Sequence, residues 1–590
     1  MPSLNPKQIV TKDECHAAIM KGVDAVADVV SITLGPGGRN VLLDEGPFRE
    51  GRSTRDGVTV AKKIALSDPI ANLAAQLVIS VARRAGDSAG DGTTTATVLA
   101  QAIYKGGVRQ VAAGANPVAL KRGIDAAITA IVGTKDEKGN YQGGTLAPLI
   151  LPVEDPNVIA QVGTLSANSD PDIGNMIAAA IAQVGKDGTV TVEESQSMET
   201  TLDVVEGMQF NQGYLSPYFI TDGERMEAML SGDDSAPVFL LLHEKRLVYH
   251  TDLTPVATIV HQAGGSLVVI AEDIAESALA WLVVNRMQGR FRSIAVKTPG
   301  FGDRKKALLD DLAVLTGATV ISPDLGIKME SVTLGMLGRA KRVTVTKDDT
   351  TIVGGMGDET ILNGRRNDLR AQIERTTSDY DRERLTERLA KLTGGVAVVK
   401  VGGQTEAEMK ERKDRAEDAM YATRAAVAEG IVPGGGTALI LAVDSHAFMQ
   451  AAMNVANEDE LAGFRIVAKA CEAPLKRIVS NAGGEGGEIV AELRRRKAHV
   501  RSVKTDIPLE LRQNNFFGYN AATREFEDLL KSGVIDPARV TRTALQAAGS
   551  IAGLLLTNEA IVADDVEAAS EVRKSLVPVM PGGQQQMLGY

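Results

Sequence analysis

Gly90-Asp91-Gly92-Thr93-Thr94-Thr95 stands directly before an apolar-periodic stretch that runs through Leu99 and Ile103. Glycines let a backbone approach an anion closely, and the free N–H groups of a helix start, aligned with its dipole, favour a phosphate there. The threonine hydroxyls add donors, and Asp91 is an oxygen ligand of the kind that the hard cation Mg2+ requires. Read alone, a glycine turn capped by threonine is the commoner meaning of such a stretch. Thr33-Leu34-Gly35-Pro36-Gly37-Gly38 and Gly434-Gly435-Gly436 are two further loops of this kind, and read singly they are a helix stop and a turn. Neither a Walker A pattern nor a Rossmann fingerprint is present, which disfavours the common nucleotide folds. The three loops come from both ends of the chain, so they can form one site only if those ends build one domain.

The texture of the sequence supports that arrangement. Ile19, Val23, Val26 and Val30 fall on one face of a helix with Thr11 and Asp13 as available caps, and the loop at Gly35 ends it. Pro69 opens a second helix with Ile70, Leu73, Leu77, Val78 and Val81 predicted inward. Residues 134–155 are rich in glycine, proline and charge, as in a linker or inserted loop. From 188 to 355 the signals are mixed. Thr189–Val192 and Leu267–Ala271 read as strands, and Ile294–Val296, the helix after Asp303 and Thr319–Ser322 as a strand–helix–strand unit. Residues 364–393 predict charged antiparallel helices. A strand at Val396–Val401 precedes a charged helix over 404–429 that ends at Gly430, and 434–575 return to alanine-rich helices. The expected fold is mainly α with α/β, the middle being inserted into a helical domain made from both ends.

Composition bounds the function. At about 150 residues per domain, 590 residues predict roughly four domains. Net charge is −11 and pI about 5.3, which argues against nucleic acid as the main partner, because phosphate neutralisation needs clustered cations. No apolar run approaches the roughly 20 residues of a spanning helix, and Met1 to Lys12 lacks a hydrophobic signal core. The expectation is a cytoplasmic protein without a membrane partner. Cys15 and Cys471 are the only 2 cysteines and form no motif.

Other candidates are weaker one by one. Asp56, in Thr54-Arg55-Asp56-Gly57, reads as a turn residue, and Asp418, on a helix full of charge, as a solvated carboxylate. His243-Glu244 lacks the second histidine of a zincin, so histidine marks no metal site. Arg494-Arg495-Arg496-Lys497 reads as a solvated face.

Taken in order, Thr33-Leu34-Gly35-Pro36, Asp91-Gly92-Thr93-Thr94-Thr95, Glu417-Asp418-Ala419, Gly434-Gly435-Gly436 and Tyr519-Asn520-Ala521-Ala522-Thr523 resemble a group I chaperonin of the GroEL type. Val204 to Phe210, Tyr214 to Phe219 and Thr377 to Asp381 agree, and the resemblance covers nearly the whole chain. It implies an ATP-hydrolysing subunit of a homo-oligomer, in seven-membered rings, that captures non-native polypeptides and works with a lid co-chaperonin. The implied domains are equatorial (1–137 and 431–590), intermediate (138–206 and 395–430) and apical (207–394), with hinges at Gly207, Gly394 and Gly430.

Carried over residue by residue, Thr33, Leu34, Gly35, Pro36, Arg55, Asp91, Gly92, Thr93, Thr94, Thr95, Gly435, Asn520, Ala521, Ala522 and Asp536 line the nucleotide pocket. Asp91 ligates Mg2+, with K+ as a second candidate ion, and Asp56 and Asp418 orient the attacking water. Tyr214, Tyr218, Phe219, Leu279, Val283 and Val284 match the apolar lip that grips clients. The chain also departs from the family. Arg55 and Gly37 stand where lysine is usual, and Thr254 and Ala257 where larger aliphatics are usual. Residues 484–517 are longer than the family's equivalent and carry the basic run together with Arg501 and Lys504. If that segment lies at the base of the equatorial domain, its like charges weaken the pairing of two rings.

Overall fold

Helix Lys12–Val30 buries Ile19, Val23, Val26 and Val30, the four positions that a 3.6-residue period brings to one side. Helix Pro69–Ala89 departs from its expected face. Ile70 and Val78 are buried, but Leu73 and Leu77 are 45% and 37% exposed, and the inward stripe is completed by Ala71, Ala74, Ala75, Ile79 and Ala82. The reason is spacing. A Cβ on Gly22 would lie 2.2 Å from the carbonyl oxygen of Ala71, so the two helices meet where only small side chains fit.

The computed structural model describes residues 7–44, 51–136, 141–153, 155–185, 188–195, 198–223, 225–233, 235–300, 302–376, 378–498 and 515–565. It divides into two units, Met1–Asn175 with Asp414–Tyr590, and Met176–Lys413. In the first, helices Lys12–Val30, Pro69–Ala89, Thr93–Ala112, Pro117–Val132, Glu458–Ala470 and Ala538–Leu556 enclose one core that mixes residues from both ends of the chain, such as Leu99, Ile124, Phe464 and Leu545. Helices Pro117–Val132 and Glu458–Ala470 cross at Gly123 and Gly463, where an added Cβ would lie 1.9 Å and 2.1 Å from a carbonyl oxygen of the other helix. Strand Lys7–Thr11 pairs antiparallel with Ala560–Asp564. A small hairpin, Thr134–Lys135 with Tyr141–Gln142, lies in the expected linker.

The second unit carries a seven-stranded sheet. Ser293–Lys297, Ser266–Ala271 and Val238–His243 run parallel, and their near-continuous apolar runs are buried on both faces. Gly338–Val345, Thr350–Gly355 and Gly207–Phe210 extend the sheet antiparallel. No strand forms over Thr319–Ser322. Only Ile321 bridges His243, at the end of its strand. Val396–Val401 is the middle of a separate three-stranded sheet, between Thr189–Glu194 and Thr201–Val205. The charged helices Glu359–Arg375 and Asp379–Thr393 are tied to helix Asp303–Thr316 by buried Asp311, which accepts from Arg365 at 2.8 Å and Arg388 at 2.7 Å.

The basic run is not a free cationic patch. Arg494 donates to Asp444 and Glu472 at 2.8 Å and 2.7 Å, and Arg495 and Arg496 both donate to Glu492 at 2.6 Å. Each of these three arginines thus has a carboxylate partner within the subunit, which lessens the repulsion that the bare run predicts. Arg501 and Lys504 lie outside the described residues.

Candidate functional site

Four carboxylates of the first unit sense one another: Asp56, Asp91, Asp418 and Asp536. Asp56, Asp418 and Asp536 are half-buried, and Asp91 is exposed at its loop. Burial, then the charge of Asp56, raises the pKa of Asp91. Asp418 is pushed well above the usual carboxylate range by burial and by Asp56 and Asp91. Asp536 is raised to about 7 by burial and by Asp91. Burial is the larger cause in each case, and the neighbouring carboxylates add to it.

Each member is placed by a local device. Asp91 sits between Gly90 and Gly92, both at positive φ (76° and 88°), and helix Thr93–Ala112 starts immediately after them. A Cβ on Gly90 would lie 2.0 Å from Cβ of Tyr421, so glycine lets helix Glu406–Glu429 press its Asp418 turn against the loop. The far end of that helix is pinned where Glu429 accepts from Arg539 at 2.7 Å and from Arg542. Asp56 caps helix Gly57–Lys63, accepting from the amides of Val58 at 3.0 Å and Thr59 at 2.8 Å. A carboxylate has about four acceptor sites, so two remain for a ligand or water. Asp536 lies on strand Ile535–Pro537, paired to Ile431–Pro433, and accepts from the amide of Gly435.

Some of the remaining predicted pocket residues are tied to one another by local contacts. Arg55 donates to the carbonyl oxygen of Gly35, tying the Thr33–Pro36 loop to the Asp56 turn. Its buried Nε has no hydrogen-bond partner among the described residues, and burial lowers its pKa. Leu34 packs against the apolar cluster to which Tyr519 and Ala521 belong. Thr94 reaches the Asp56 turn, since a Cβ on Gly57 would lie 2.2 Å from Thr94 Oγ1. The Asn520 carboxamide donates to Glu527 at 2.7 Å and accepts from the amide of Ala522 at 2.9 Å, and its carbonyl accepts from the amide of Arg524 at 2.8 Å. Among the described residues no three His, Cys, Asp or Glu side chains form a metal cage. A Mg2+ that arrives with phosphates needs only one or two carboxylates, and Asp91 and Asp536 meet that need.

Sequence reasoning missed Asn481. Its carboxamide donates to the carbonyl oxygens of Ser31 at 2.8 Å and Leu34 at 2.9 Å, with Arg477 also on Ser31 at 3.3 Å. Gly37 lies close against this clamp, where a Cβ would be 2.6 Å from the backbone carbonyl oxygen of Asn481.

In the second unit the six predicted lip residues divide. Tyr218 and Val284 are 66% and 48% exposed, Tyr214, Leu279 and Val283 are half-buried, and Phe219 is wholly buried. Ala280, Val284 and Met287 form an exposed ridge on helix Glu276–Met287. Helix His250–Gln262 presents Thr254 and Thr258, whose hydroxyls donate to the carbonyls of His250 and Thr254 at 2.9 Å and 2.8 Å. With the hydroxyls occupied by the helix, the methyl groups are the main feature these threonines offer a partner. Ala257 faces the core.

The model of the TCP-1/cpn60 chaperonin family matches residues 26–241 and 250–566 of this chain.

Proposed function

The chain belongs to the TCP-1/cpn60 chaperonin family, whose members act in protein folding, and from that premise we propose that it is a group I, GroEL-type subunit that captures non-native polypeptides and folds them in a ring cavity driven by ATP. The observation that carries this reading is the cluster of four coupled carboxylates among three glycine loops, all within one unit. Phosphates bind at the start of helix Thr93–Ala112 and along the Thr33–Pro36 loop, with Arg55 as the fixed cation beside them. Asp91, with Asp536 beside it, holds Mg2+, which neutralises phosphate charge and aligns the transferring group when bound. Asp56 and Asp418 position the attacking water, their free lone pairs accepting its protons. Arg55, bound to the Gly35 carbonyl, takes a place for which a monovalent ion such as K+ would compete.

The three-domain division, with hinges at Gly207, Gly394 and Gly430, is part of the same proposal, as are seven-membered rings, a lid co-chaperonin and a cytoplasmic setting. Among the described residues no helix is long and apolar enough to cross a membrane. Assignment to group I is supported by the short connections of the second unit: only six residues separate strand Val238–His243 from helix His250–Gln262, leaving no room there for a helical protrusion.

Asp418→Ala tests the catalytic assignment. A water-orienting group acts on the transition state more than on the ground state, so ATP binding should persist while single-turnover hydrolysis falls by about 10² or more. Hydrolysis within about twofold of the parent would remove Asp418 from the mechanism.

A further inference from the structure

Arg286 is the residue that joins the two halves of the exposed apolar surface of the second unit. It lies on helix Glu276–Met287 three and seven residues beyond Val283 and Leu279, hence on their half-buried side rather than on the Ala280–Val284–Met287 ridge. Its Nη1 donates to the carbonyl oxygen of Tyr218 at 2.8 Å and its Nη2 to that of Ile220 at 3.2 Å. Between those carbonyls, Phe219 is fully buried and anchors the short turn Pro217–Phe219 from below. Tyr218 is left 66% exposed, and Met287, beside Arg286, is 67% exposed. The guanidinium is half-buried, and burial lowers its pKa, as expected of a cation held for its geometry and not displayed to solvent.

A planar fork with fixed donors can hold two carbonyls at once, whereas an ammonium is a point charge. We propose that Arg286 is a positioning residue for client capture: it locks the Pro217–Ile220 turn so that Tyr218 is held ready at the edge of the Ala280–Val284–Met287 ridge. This rests on the reading that the surface grips non-native chains. A preordered aromatic loses little entropy on binding, so its contribution to capture depends on the lock.

A charge in a greasy strip has the opposite expected effect if it does no positioning, and the experiment exploits that. Binding of a permanently unfolded probe, reduced carboxymethylated lactalbumin, is measured for the assembled parent, Arg286→Met, Tyr218→Ala and the double variant, with circular dichroism and size-exclusion as controls for folding and assembly. Arg286→Met adds apolar surface, yet the lock predicts capture weaker by roughly tenfold, the scale of losing a charged hydrogen-bond pair. The double variant should be no weaker than Tyr218→Ala, because Arg286 acts through Tyr218. If Arg286→Met captures the probe as well as or better than the parent, or if the two losses add, the proposal is overturned. Unchanged capture by Tyr218→Ala alone would overturn the client-surface reading itself, and the positioning role with it. Should Arg286→Met fail to fold, Arg286→Gln runs the same cycle with the same two outcomes.

Discussion

One carboxamide, that of Asn481, governs the shape of the loop that carries Thr33. Its carboxamide N–H groups meet the carbonyls of Ser31 and Leu34, and Ser31 also accepts from Arg477 and from the Leu34 amide. Asn481→Ala leaves the Leu34 carbonyl without this partner and frees the loop, while the Asp56 and Asp418 machinery stays in place. The apparent KM for ATP should therefore rise about fivefold to tenfold with kcat within about twofold of the parent, since one hydrogen bond is worth about 1 kcal/mol. A fall in kcat with KM unchanged would show that the clamp serves chemistry and not nucleotide binding. Residues such as Asp91 were legible because the glycines and threonines that make them useful are their neighbours in sequence. Asn481 was not, because its partners lie 450 and 447 positions away and Ser480-Asn481-Ala482-Gly483 reads as an ordinary helix stop. Phe219 shows the reverse limit: its motif is legible, but its burial depends on the sheet beneath it.

At the scale of elements, Glu472 is the junction of three helices of the first unit. It sits between helices Glu458–Ala470 and Ala473–Asn481 and accepts from Lys469 at 2.8 Å, Lys476 at 2.5 Å and, from helix Gly486–Ala498, Arg494 at 2.7 Å. Burial alone would raise its pKa, but the three cations outweigh it and hold the group at about 2 against an ordinary 4.5. A carboxyl depressed in the folded state stabilises fully above its unfolded pKa, and that stability is lost as pH falls through the folded value. This stability is present at neutral pH and is lost between about pH 4.5 and pH 2. Glu472→Gln should lower the urea midpoint at pH 7, and its gap from the parent should narrow steadily below pH 4.5. A gap that is the same at pH 7 and pH 3 would show that Glu472 is not depressed. Element type was readable wherever apolar spacing was strong, as in Lys12–Val30. It failed at Leu73 and Leu77 because side-chain size is a poorer guide than the need for close approach, which selected alanines opposite Gly22.

Across the whole molecule, the inference that both chain ends build one unit followed from their shared alanine-rich helical texture, which the middle of the chain lacks, and the two ends do share one unit. Charge was harder to read, because a run of cations looks the same in sequence whether or not carboxylates answer it. Arg494 to Arg496 are answered by Asp444, Glu472 and Glu492, and Arg496 also covers the ring of Phe526 at 4.3 Å. If this face of the subunit meets another ring, these ion pairs reduce the repulsion that the cations alone would produce. The assembly of the parent should then change little in sedimentation velocity between low salt and about 0.5 M salt, a range over which the screening length falls from roughly 30 Å to a few Å. Glu492→Gln removes the partner of both Arg495 and Arg496 in every subunit, and repetition around a ring multiplies the exposed charge. That variant should shift to smaller species at low salt and recover as salt screens it. A parent that itself dissociates at low salt and reassembles at high salt would show that the pairing within the subunit does not neutralise the face, and would restore the repulsion that the sequence alone predicts.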